Sequence, residues 1–97
     1  MAVGKVIHEF TAQVSDADGH LYAARAVGRQ RRGGTWVGWI EFSPRGSGGI
    51  VRKSPIETTQ PSREALEYWA SGLEPVYLEG ALERAIASRS DSRASSR

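Results

Sequence analysis

The chain has no cysteine, which excludes disulfide staples, thiolate metal sites and a thiol nucleophile and leaves packing as the source of stability. It has no apolar run near the ~20 residues that span a bilayer, and Met1-Ala2-Val3-Gly4-Lys5 is not followed by the apolar core of a secretory signal. A cytoplasmic location is therefore expected. It also lacks the local signatures of catalysis. The glycine-rich stretches Arg32-Gly33-Gly34-Thr35 and Gly46-Ser47-Gly48-Gly49 do not end in Gly-Lys-Ser/Thr and have no strand-loop-helix setting, so hairpin turns explain them better than phosphate loops. No serine sits on a nucleophile elbow, and no histidine stands in a defined relation to one.

What is present fits one small domain. At 97 residues a second core would leave neither with enough buried surface, and 39% hydrophobic with 25% charged residues is ordinary for a globular chain. The net charge of +2 conceals an asymmetry. Residues 1–60 carry eight basic and five acidic side chains, residues 61–87 two and five, and residues 88–97 three and one. The first segment is thus mildly basic and the second acidic.

The first segment alternates as β-structure. Val6, His8, Phe10, Ala12 and Val14 share one face of a strand over residues 6–14. Asp16-Ala17-Asp18-Gly19-His20 is a turn. A three-residue loop with a glycine bulge opposes Asp16 to His20, Val14 to Tyr22, Ala12 to Ala24 and Phe10 to Ala26, keeping apolar residues together and sending Arg25 and Arg29 to the other side. Strand two covers about 21–29 and strand three 35–42, where Gly38 leaves room beside the indoles for a close approach. Ile50-Val51-Arg52-Lys53 is expected as a short edge strand. Residues 54–60 are a connection.

Residues 61–87 predict two helices. Ser62 is the expected N-cap of the first, with Glu64 in its first turn. Gly72 is expected just past its end in a Schellman arrangement that returns Leu73 to Tyr68, and Pro75 opens the second helix. Gly80 is discordant inside a helix. The competing reading makes residues 75–79 a fifth strand ending at Gly80. From Ser88 onward the Ser/Arg-rich tail is expected to be disordered.

These patterns give an α+β fold: one domain over 1–87, with a four-stranded antiparallel meander followed by two C-terminal helices packed on one face, and a disordered tail over 88–97. The expected core is Val6, Phe10, Ala12, Val14, Tyr22, Ala24, Trp36, Ile40, Phe42, Ile50, Leu66, Trp69, Leu73, Leu78, Leu82 and Ile86.

Four sets of residues bear on function. Asp16, Asp18, His8 and His20 are metal-ligand types, but aspartates in a hairpin turn are explained by local backbone hydrogen bonds, so no metal is expected. His8 with Glu9 or Glu41 forms an acid–base pair only if the fold joins them. The expected outward sheet face carries Arg25, Arg29 and Trp39, with Arg31 and Arg32 at its margin, a combination suited to phosphates and stacked bases of a single strand. The same face carries Leu21 and Val37, more apolar surface than one side of a solvated sheet needs, and indole and guanidinium are preferred groups of protein interfaces. The expectation is a non-enzymatic protein-interaction module without cofactor, homodimeric through the sheet face; single-stranded nucleic-acid binding by the arginines is the alternative. The candidate face is Leu21, Arg25, Arg29, Arg31, Arg32, Val37 and Trp39.

The segments Trp36-Val-Gly-Trp39-Ile-Glu-Phe42, Glu57-Thr-Thr-Gln-Pro61, Tyr68-Trp-Ala-Ser-Gly-Leu73 and Tyr77-Leu-Glu-Gly-Ala-Leu82 resemble those of small uncharacterised bacterial proteins, over roughly residues 6–87. The resemblance implies a bacterial single-domain protein and supplies no site residues.

Overall fold

The computed structural model describes residues 4–46 and 49–95, with side chains described to Ala87. The elements are β1 (Lys5–Ser15), β2 (Leu21–Gln30), β3 (Trp36–Pro44), β4 (Arg52–Lys53), β5 (Thr58–Gln60), α1 (Arg63–Ser71) and α2 (Pro75–Ser95). The sheet is antiparallel in the order β1-β2-β3-β4, as the meander predicts. Within the stretch read as a connection, β5 pairs with β3 on the edge that β4 also borders, β4 beside Glu41 and Phe42 and β5 beside Trp36, Val37 and Gly38. Pro55 interrupts this edge, and Ser54 bridges the break. Its N–H donates to the Ile40 carbonyl (2.9 Å), while its buried Oγ accepts the Ile40 N–H (2.9 Å) and donates to the Pro55 carbonyl (2.8 Å). Residues 75–79 are helical, with Pro75 first, so the competing fifth strand is not formed there. The tail expected from Ser88 begins within the span given to α2, but its side chains and residues 96–97 lie outside the described residues.

The first hairpin has the expected loop. Asp16 N–H donates to the His20 carbonyl (3.0 Å), Gly19 has φ 86°, and Val14 faces Tyr22. Beyond Gln13 the expected register fails. It shifts between Gln13 and Glu9 and again between His8 and Val6, so Ala26 faces His8 instead of Phe10, and Val6 faces Val27. Val6 is consequently 43% exposed, and Ile7 is turned toward Gly28 and the core. In contrast β2 and β3 pair without interruption from Tyr22↔Pro44 to Gln30↔Trp36.

Both helices cover the face formed by Val14, Tyr22, Ala24, Ala26, Ile40 and Phe42, burying Ala70, Leu78, Ala81, Leu82 and Ala85 against it. The alanines let the helices approach closely, and they account for much of the core beyond the expected list. Phe10, Trp69, Leu73 and Ile86 are partly buried around this cluster. Ile50 is exposed, and Trp36 sits at the margin under the Arg63 guanidinium. Ser62 Oγ accepts the Ala65 N–H (3.1 Å) and caps α1 as expected. Gly72 is right-handed (φ −93°), so the left-handed Schellman closure is absent; Leu73 packs on the core and Tyr68 remains exposed.

The docking of α1 rests on two glycines. Gly28 and Gly38 are directly paired across β2 and β3, and Leu66 sits over both. A Cβ on Gly28 would lie 2.4 Å from Leu66 Cδ2, and one on Gly38 would lie 2.6 Å from Leu66 Cδ1. The close approach expected at Gly38 therefore occurs, with the Leu66 side chain as its occupant.

Gly38→Ala is expected to cost about 1–3 kcal/mol by overpacking, and Leu66→Ala about 2–5 kcal/mol by cavity formation. In urea unfolding the double variant should lose clearly less than the two single losses combined; strict additivity would show that the notch does not seat the leucine.

Candidate functional site

The sheet face away from the helices is built from alternate residues of β1, β2 and β3. Across it Val6 faces Val27, which faces Trp39; Glu9 faces Arg25, which faces Glu41, which faces Lys53. The Trp39 indole does not stand free. A Cβ placed on Gly4 would lie 2.3 Å from Val27 Cγ1 and 2.8 Å from Trp39 Cζ2, so the ring crosses β2 to reach the start of β1. That accounts for the burial of Val27. The indole Nε1–H donates to Glu41 Oε2 (3.1 Å), and Arg25 Nη2–H donates to Glu41 Oε1 (3.1 Å). Glu41, only 12% exposed, thus ties the tryptophan to the arginine.

The candidate residues divide accordingly. Arg25 and Trp39 are joined through Glu41, an intermediary that alternation alone does not reveal. Leu21 lies at the hairpin end of the face and is 46% exposed. Arg29 ends the outward row of β2, and Arg31 and Arg32 are exposed in the β2–β3 turn, where Gly33 and Gly34 take positive φ. Val37 is fully buried and offers no surface to a partner, which corrects its place in the candidate face.

The two chemical alternatives resolve into structural roles. Asp16, Asp18 and His20 lie close enough to bring one ligand atom each within 4.8 Å of the others. Asp16 Oδ1, however, accepts the Asp18 and His20 N–H groups (3.0 and 2.9 Å), and Oδ2 accepts the Tyr22 hydroxyl (3.3 Å) and contacts His20 Nδ1 (3.2 Å). Desolvation works to raise its pKa, but these His20 and Asp18 contacts prevail and hold it below the ordinary aspartate value. The carboxylate closes the turn. His8 makes an edge contact with Phe10 (4.8 Å between centroids) and faces Ala26 on the helix side, whereas Glu9 and Glu41 belong to the opposite face. No acid–base pair is assembled from them.

Sequence reasoning missed a polar cluster at Glu57, Tyr77 and Arg84. Glu57, with its side chain 5% exposed, accepts the Tyr77 hydroxyl and Arg84 Nη2–H (2.8 Å) at Oε1, and Arg84 Nε–H (3.0 Å) at Oε2. Gly80 explains itself here. A Cβ on it would stand 3.3 Å from Arg84 Nη1, so the bare glycine gives the guanidinium room to lie beside Tyr77 and reach Glu57. The cluster fastens the β4–β5 connection to α2. Burial tends to raise the Glu57 pKa, but the Arg84 and Tyr77 hydrogen bonds outweigh it and lower the value. Burial and the Glu57 hydrogen bond push Tyr77 up to about 12. Both carboxylate oxygens are engaged, which suits a clasp better than proton transfer.

No family model, curated protein or solved structure matches this chain significantly.

The clasp carries a signed pH dependence. A lowered Glu57 pKa contributes stability above the ordinary carboxylate range, lost as pH falls through the folded value. A raised Tyr77 pKa contributes stability below the ordinary tyrosine value of 10.0, lost as pH rises toward about 12. The urea midpoint of the parent should exceed that of Tyr77→Phe near neutrality, and the gap should close across that alkaline window; a gap unchanged by alkali would show that the hydroxyl is not clasped.

Proposed function

We propose that the protein is a small non-enzymatic interaction module whose contact surface is the sheet face left uncovered by its helices. The observation that carries this reading is the one-sided packing: α1 and α2 cover one face, while the other presents Val6, Leu21 and part of Trp39 to solvent. A flattened indole between apolar neighbours is a rigid, low-entropy contact element, and such groups dominate interface energetics. A cytoplasmic bacterial setting belongs to the same proposal; among the described residues no helix is long and apolar enough to cross a membrane.

The second reading, single-stranded nucleic-acid binding, is favoured by the grouping of Arg29, Arg31 and Arg32 around the β2–β3 turn. It is weakened at the centre of the face. There Arg25 is already paired with Glu41, and the same carboxylate, which would repel a phosphate, holds the indole N–H.

A photoreactive residue in place of Leu21 is expected to give protein adducts in cells expressing the chain, whereas one in place of Val76, exposed on α2, is not. Nuclease-sensitive adducts at Leu21 would transfer the face to nucleic acid. No adduct at Leu21 would remove both readings from this surface.

A further inference from the structure

The middle of the uncovered face carries a row of alternating charge. Glu9, Arg25, Glu41 and Lys53 are successive cross-strand partners on β1, β2, β3 and β4, so their side chains share one face in the order minus, plus, minus, plus. Read backwards, that order is plus, minus, plus, minus, its own complement. We infer that the face binds a second copy of this chain, the two sheets stacked about a two-fold axis that runs parallel to the strands between β2 and β3. This deepens the interaction-module reading and rests on it.

The pattern selects the axis. A two-fold along the strand direction reverses the row, setting Glu9 against the partner's Lys53 and Arg25 against the partner's Glu41, each contact occurring twice as an isologous interface requires. A two-fold along the row instead sets each residue against its own copy and opposes four like charges. Sheets stacked face to face differ in strand direction by about 30°, which displaces the ends of a row ~15 Å long by about 4 Å, within reach of lysine and glutamate side chains.

Magnitudes assign the apolar and charged groups their parts. Four strand positions about 4.8 Å apart and some 30 Å long present roughly 600 Å² per copy, near the lower limit for a specific interface, so dissociation in the micromolar range is expected. The apolar groups this face leaves exposed, Val6, Leu21 and part of Trp39, supply the affinity. The charged row chiefly determines register, because exposed ion pairs contribute little net energy while like charges in contact are strongly excluded.

Sedimentation equilibrium of the full chain should show reversible formation of a species twice 10.6 kDa. Glu9→Lys and Lys53→Glu alter exposed residues on opposite edges of the row, and each single variant turns two attractive contacts repulsive. Each should weaken dimerisation about tenfold or more. The double variant E9K/K53E should recover parental affinity, and an equimolar mixture of the two single variants should form a heterodimer. The mixture is decisive, because local disturbance within either chain cannot be repaired in trans. A parent that stays monomeric, single variants that dimerise normally, or a mixture that does not associate would each overturn the inference. If the parent is monomeric and the Leu21 adducts contain another protein, self-association fails while the interaction-module reading stands; if Leu21 gives no adduct, that reading fails itself.

Discussion

The seating of Leu66 on the Gly28–Gly38 pair governs the rest of the architecture. Two glycines opposed across central strands would weaken a sheet, since neither contributes a side chain to pack. Here the missing side chains form a notch into which the leucine methyls descend, bringing α1 down onto β2 and β3. With α1 so placed, the short Gly72–Glu74 link directs Pro75 and α2 across Ala24 and Ala26. Tyr77 and Arg84 then arrive at Glu57, and the edge between β4 and β5 is fastened by contacts otherwise out of reach.

The two faces of the sheet use small residues in different ways. Toward the helices, alanines and glycines bring backbones close, and large residues such as Ile40 and Phe42 fill the remaining space. Away from the helices, the bare Gly4 lets the Trp39 ring lie across β2, and Glu41 gathers the indole N–H and the Arg25 guanidinium. A tryptophan and an arginine that read as free chemical groups are held by one carboxylate. Held in this way, the pair suits surface matching better than anion capture.

Much of the local structure was legible because its causes are local. The Asp16–His20 turn, the Ser62 cap and the start of α2 at Pro75 each depend on a few adjacent residues, and the alternation in β2 and β3 is uninterrupted. Sequence pattern and structure part where neighbours in space decide. Extra residues in β1 change its register without any glycine or proline to announce them, so Val6 faces outward and Ile7 inward. Strand β5 has only three residues and exists because β3 offers an open edge. Val37 has the alternation of an outward residue and is nevertheless enclosed.

The two-helix stretch and the amphipathic strands were determined by the sequence itself, because side-chain period, capping and turn chemistry act within a few residues. So was the absence of thiol chemistry. Which residues meet across the sheet was decided only by the tertiary structure. Periodicity assigns residues to a face, but register assigns their partners, and register lies in the bulges of β1 and the unbroken ladder of β2 with β3. The alternating row of Glu9, Arg25, Glu41 and Lys53, drawn from four strands, comes into existence only when those strands are aligned.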